Sequence, residues 1–150
     1  MTDYIEKSRW KAMDNRALNY LALAKKGRLV ELGEEPVGAV TRAVKGRLVV
    51  VASDASDHTW RRAKSFVAGT EQQCIRVSFT KEELGFVVGR TSLAIAAFTD
   101  AALALAFVKA LPNAEKFAEV ITKLDEKSRK LRQRKDEAKA HERNVRKGKK

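Results

Sequence analysis

The chain is short of the residues most chemistry needs. It has one cysteine, Cys74, and two histidines, His58 and His141, in 150 residues. A single thiol cannot close an internal disulfide, which points to a reducing compartment. One Cys and two distant His cannot assemble a zinc site, so no metal is expected. Neither GxGxxG nor GxxxxGK occurs: Gly85 and Gly89 fall in and after a helical stretch, and no cofactor is expected. Aromatics make up 7% of the chain, too few for stacking platforms that hold single strands, and no aromatic RNP-like strand is present.

Long hydrophobic runs are equally scarce. Leu93 to Leu111 approaches membrane-spanning length, but Thr99 and Asp100 interrupt it and much of it is alanine. A buried strand followed by a helix accounts for it, and no membrane is expected. The start, MTDYIEKSRW, is charged and lacks an apolar run, so no signal peptide is expected and the predicted location is cytoplasmic. Catalytic groups are thin too. His58 lies near Ser53, Asp54, Ser56 and Asp57, yet these crowd a helix start, where capping is their usual task. The pairs Glu34–Glu35 and Glu82–Glu83 stand in helix first turns, where the dipole favours acids. No enzyme is expected.

What the chain has in abundance is positive charge. The net charge is +12, and Lys127 to Lys150 holds twelve Lys or Arg against three acids, Asp136, Glu137 and Glu142. Such crowding repels itself and opposes burial, but it suits a polyanion such as nucleic acid. Lys127, Arg129, Lys130, Arg132, Arg134 and Lys135 are the first candidates for phosphate contacts.

Length predicts one domain. Residues 1–13 read as an N-terminal extension in which Tyr4, Ile5, Trp10 and Met13 pack a short helix. Asp14 is a candidate cap for a helix carrying Leu18, Leu21 and Ala22, closed by Lys25, Lys26 and a left-handed Gly27. Arg28 to Val30 reads as extended. A second helix opens at Glu34, Glu35 and Pro36, turns Val37, Val40 and Val44 inward, and closes at Lys45 and Gly46. Leu48–Ala52 reads as a strand covered on both faces. Trp60, Ala63 and Val67 line a third helix.

Cys74–Phe79 alternates as a half-exposed strand. Thr80 and Glu83 form a capping box for a helix ended by Gly89. Leu93–Phe98 is another covered strand, and Thr99 or Asp100 caps the helix that follows. Alternating strands and helices predict an α/β layered domain over residues 14–111. After Pro112, residues 112–131 form a C-terminal helix. Its stripe of Phe117, Val120, Ile121, Leu124 and Leu131 either docks on the domain or pairs with a partner helix along Phe117, Ile121 and Leu124. Residues 132–150 read as a basic, disordered tail. Arg42, Lys45 and Arg47, and Arg61, Arg62 and Lys64, are two further cationic groups. Arg90, Thr91 and Ser92 form a polar loop before the last strand, with donors suited to phosphate and sugar.

The stretches NRALNYLALAKKGRLVELGEEPV, RLVVVASDAS and VSFTKEELGFVVGRTSLAIAAFTD resemble, in order and spacing, the kink-turn-binding ribosomal protein family (the archaeal large-subunit seven-Ae type), especially its bacterial YlxQ-like branch. The match covers about residues 14 to 111. The resemblance implies a three-layer α-β-α sandwich around a mixed four-stranded sheet. It also implies one RNA-binding edge: Gly33, Glu34 and Glu35, then Arg42 along the helix, facing Arg90, Thr91 and Ser92. Helix-start N–H groups favour phosphate, and a carboxylate can accept from a guanine edge. Archaeal members have Asn-Glu with a Lys a turn later. Here the pair is Glu34-Glu35, and the Lys slot falls on Gly38 or Ala39.

The expectation is therefore a non-enzymatic, ribosome-associated protein that binds structured RNA, ribosomal RNA first, through the loop edge and the basic tail. The alternative is a protein-interaction adaptor on the same scaffold.

Overall fold

The computed structural model describes residues 15–148; the expected N-terminal helix and the Asp14 cap lie outside them. Four strands form one mixed sheet in the order β1-β4-β2-β3. They are β1 (Val30–Leu32), β2 (Leu48–Val51), β3 (Gln73–Arg76) and β4 (Ile95–Phe98). β4 runs antiparallel to both β1 and β2, whereas β2 and β3 are parallel. The two central strands, LVVV and IAAF, are buried along their whole length. Continuous apolar runs are what a strand covered on both faces requires.

The helices are α1 (Arg16–Lys26), α2 (Glu34–Arg42), α3 (Asp57–Val67), α4 (Lys81–Val87), α5 (Ala101–Lys109) and α6 (Ala118–Gly148), with a 3₁₀ turn at Ala114–Phe117 before α6. α1 packs on α5, and α2 packs on α3 and the sheet. This is the expected α/β sandwich. Local chemistry explains most boundaries. Asn15, Ser56, Thr80 and Asp100 each accept the N–H of the residue three positions on, and Thr80 and Glu83 form the full capping box. The Phe98 and Phe107 rings, 5.0 Å apart, lock α5 onto β4.

Several sequence expectations are corrected. At the end of α1 the left-handed residue is Arg28 (φ 57°), while Gly27 stays right-handed. β3 ends at Arg76, although Ile75, Val77 and Phe79 are all buried as their alternation requires. α2 stops at Arg42, so Val44 lies past its end, 53% exposed. The i, i+7 spacing held only in the sequence, because the chain turns left-handed at Val44 (φ 55°) to close the helix.

The apolar stripe after Pro112 docks on its own domain. α6 packs along α5, Leu124 is 2% exposed, and Phe117, Val120 and Ile121 lie against the core. The expected seam for a partner helix is thereby occupied. The helix also continues past Leu131, where fraying into a disordered tail was expected. Ala, Lys, Arg, Gln and Glu are strong helix formers, and neither Gly nor Pro interrupts them before Gly148. Gln133 and Glu137 bond at i, i+4, as do Arg129 and Asp125. Apolar contact ends there, but helical propensity does not: Arg132 to Val145 are all exposed.

Val44 supplies a test. A β-branched residue in the left-handed region costs about 1–2 kcal/mol, against about 0.5–1 kcal/mol for glycine's extra freedom when unfolded. Val44→Gly should therefore raise the urea midpoint, by up to about 1 kcal/mol of stability. A lowered midpoint would show that Val44 is not held in that conformation.

Candidate nucleic-acid interface

Gly33 joins β1 to α2 with φ 97° and ψ 162°, a conformation that favours glycine. Its N–H donates to Ile95 O at 3.0 Å, fixing it at the start of β4. No side chain caps α2 here, and Pro36 brings no N–H, so the amides of Glu34 and Glu35 remain as its first-turn donors. A Cβ on Gly33 would lie 3.7 Å from Arg90 Nη1. The guanidinium of the loop before β4 therefore stands over the start of α2. The two predicted halves of the edge, Gly33–Glu35 and Arg90–Ser92, come together.

The loop is held by its backbone. Gly89 turns left-handed at φ 75°. Arg90 N–H donates to Gly85 O at 2.8 Å, and Leu93 N–H to Lys81 O at 2.9 Å. Lys25 Nζ donates to Val88 O. A Cβ on Gly85 would sit 2.8 Å from both Arg90 O and Ser92 N, backbone atoms with no freedom to yield. Arg90, Thr91 and Ser92 themselves are exposed. The base of the loop is pinned and its donors face solvent, the arrangement that reduces the ordering cost of binding.

Other predicted residues sit differently. Glu34 is turned toward α3, where its Oε1 meets Arg62 Nε at 3.0 Å, while Glu35 is exposed. Arg42 is in the last turn of α2, and its guanidinium reaches back along the helix, with Nη1 3.2 Å from where a Cβ on Gly38 would be. Gly38 is buried, with the Phe66 ring 3.3 Å from where its Cβ would be, whereas Ala39 is exposed. Of the two positions for the archaeal Lys, only Ala39 faces solvent.

The basic residues of α6 lie elsewhere again. Lys127 approaches Glu71 Oε2 at 3.8 Å and Arg129 meets Asp125 at 3.1 Å. Lys130, Arg132, Arg134 and Lys135 are exposed. The start of α5, Asp100 to Ala102, shares a hollow with Leu131, Arg132, Arg134 and Lys135. Asp100 follows β4's last residue, so these cations stand at the end of the sheet away from Gly33.

The remaining candidates serve the fold. Ser56 caps α3, and Asp54 Oδ1 accepts the Lys81 N–H at 2.8 Å, tying the start of α4 to the loop after β2. Arg76 donates to Ala55 O at 2.7 Å, and Arg76 and Lys64 both lie over the Trp60 ring. Cys74 is half-buried, and desolvation pushes its thiol up to about 12, with the Lys64 charge opposing. At neutral pH it is a protonated, packed thiol rather than a nucleophile. Sequence reasoning gave Lys25 only the closing of α1, and Gly85 only a place inside a helix. The Lys25–Val88 bond spans 63 positions, and nothing local in sequence signals it.

No sequence-family model matches the chain, and no curated protein matches it in sequence. Solved structures do match. A protein of unknown function from Bacillus halodurans is 23% identical with a TM-score of 0.57, covering 73% of this chain and 99% of its own. The Giardia lamblia 15.5kD RNA binding protein is 16% identical with a TM-score of 0.54, covering 73% of this chain and 85% of its own. These likenesses place the fold with that of a known RNA-binding protein.

Two outcomes test this geometry. Gly85→Ala should cost about 1–3 kcal/mol, the usual overpacking penalty, and shift the amide resonances of Arg90 to Ser92; a neutral substitution would mean the loop is not packed on α4. The Cys74 thiol should react with a disulfide reagent far more slowly in the native chain than in urea at pH 8, and equal rates would contradict its burial.

Proposed function

We propose that this chain is a non-enzymatic, cytoplasmic RNA-binding protein of the kink-turn-binding ribosomal type, in its bacterial YlxQ-like branch. It grips structured RNA, ribosomal RNA first, with the edge formed by Gly33, Glu35, Arg90, Thr91 and Ser92. The observation that carries the reading is Arg90 standing over Gly33 at the uncapped start of α2. Donors from two separate elements converge there with no acceptor of the protein's own described between them. Backbone N–H groups at a helix start bind phosphate oxygens, glycine lets an RNA strand approach closely, and Glu35 is free to accept from a base edge. The fold it shares with the Giardia RNA binding protein agrees with this reading.

Glu34 engaged by Arg62, and alanine at the exposed Lys slot, remove one base and one phosphate contact relative to archaeal members. A base contact is worth about 1–3 kcal/mol. The edge therefore selects shape, and α6 supplies phosphate attraction. The adaptor alternative has lost its proposed seam, since Leu124 is packed against the chain's own domain.

The test uses residues 1–131, which retain the docked stripe, and a bulged RNA hairpin. Glu35→Ala with Arg90→Ala should weaken binding at least tenfold, and undiminished affinity would refute the edge. In the full chain, engagement of about eight phosphates gives a log–log salt slope of roughly −6 to −7. Truncation after Leu131 should flatten that slope, and an unchanged slope would remove the end of α6 from the mechanism.

A further inference from the structure

Both ends of β4 anchor a binding element. At its start, Ile95 O accepts the N–H of Gly33; at its end, Phe98 O accepts the N–H of Arg47 at 2.7 Å. Three strand steps, about 10 Å, separate the two attachments, and the surroundings differ in charge. Glu34 and Glu35 stand beside the first. The second opens on a cleft of about 590 Å³ between α6 and residues 69–73, whose charged walls are Arg47, Lys123 and Lys127 against one acid, Glu71.

One wall of the cleft is a cation whose hydrogen bonding is incomplete. Arg47 Nε is buried and has no hydrogen-bond partner among the described residues. A buried charged donor without an acceptor is costly unless an anion completes it. Its polar neighbour Gln72 is fully engaged, accepting from Gly46 N–H and donating to Thr41 O and Thr70 Oγ1. Lys123 and Lys127 are held loosely, by Glu119 at 3.4 Å and Glu71 at 3.8 Å, and both carboxylates are more than four-fifths exposed. Screened pairs of that kind give way to a phosphate.

Beyond the cleft, Lys130 and Arg134 continue the face of Lys123 and Lys127 along α6 at i, i+3 and i, i+4 spacing, both exposed. Lys123–Lys127 and Lys130–Arg134 are like charges at i, i+4, which weaken a free helix and are relieved by a polyanion. A lipid surface fits poorly, because the bulky apolar residues of this part of α6, Ile121 and Leu124, are docked on the chain's own domain.

We propose that the Arg47 end is a second RNA site, where the phosphodiester backbone of a duplex enters the cleft and follows α6. Together with the loop edge, whose role rests on the function proposed above, it lets one chain hold two separate RNA segments. The experiment uses the full chain, a bulged hairpin carrying a donor dye and an unbulged RNA duplex carrying an acceptor. Lys123→Gln with Lys127→Gln is the main variant, since both side chains are at least 32% exposed and Leu124 between them is kept. Circular dichroism verifies its fold.

The unaltered chain should bring the dyes together. The double variant should abolish that transfer, weaken duplex binding about tenfold and lower its salt slope by about 1.5, two contacts' worth. Glu35→Ala with Arg90→Ala should spare duplex binding. An unchanged duplex slope in the lysine variant overturns the proposal, as does polyglutamate binding as tightly as duplex. Equal weakening of duplex and hairpin by the Glu35 and Arg90 changes also overturns it, because the sites would not be separate. If those changes weaken neither RNA while the lysine variant weakens both, the loop-edge reading fails and the cleft assignment stands.

Discussion

The backbone of Arg90 to Ser92 fills the space where a side chain on residue 85 would be. That contact sets the rest of the edge. It holds the loop against α4 and leaves the Arg90 guanidinium over Gly33, where a φ of 97° favours glycine. The bond from Lys25 to Val88 O and the capping box at Thr80 fix the two ends of α4 from outside. Two glycines thus set the edge, Gly85 by leaving room for the loop and Gly33 by its backbone angle.

The sheet acts as a spacer. Its short central strands, sealed by Val, Ala and Phe, separate an edge rich in backbone donors and acids from an end rich in lysine and arginine. Uniform positive charge around the loop edge would attract any nucleic acid equally well. In the proposed function, this segregation has α6 supply sequence-independent attraction, which salt screens, and the edge supply shape, which salt affects less. Docking of α6 on α5, with Leu124 in the core, connects the two, because it aims α6 from the core outward.

Much of the fold was legible in the sequence. LVVV and IAAF announced themselves as covered strands and Thr80 as a cap, because these signals are local; Ser56 and Asp100 stood among several cap candidates until the structure chose them. The errors came where a local pattern outlasts or falls short of its physical cause. Val44 keeps the inward spacing of α2 after the helix has ended, and α6 keeps its propensity after its stripe has ended at Leu131. The site was legible in part. Gly33, Glu35 and Arg90 followed from the family resemblance, and the packing of Arg42 back over Gly38 did not. The orphaned Nε of Arg47 and the packing of Gly85 depend on contacts between elements that no spacing encodes.

The most direct measure of the central claim is a titration of isotope-labelled full chain with the bulged hairpin at high salt, following every backbone amide. The account places the largest shifts at Gly33 to Glu35 and Arg90 to Ser92, with α6 little changed once its phosphate attraction is screened. Shifts confined to α6, with the amides of Gly33 and Arg90 unmoved, would contradict it.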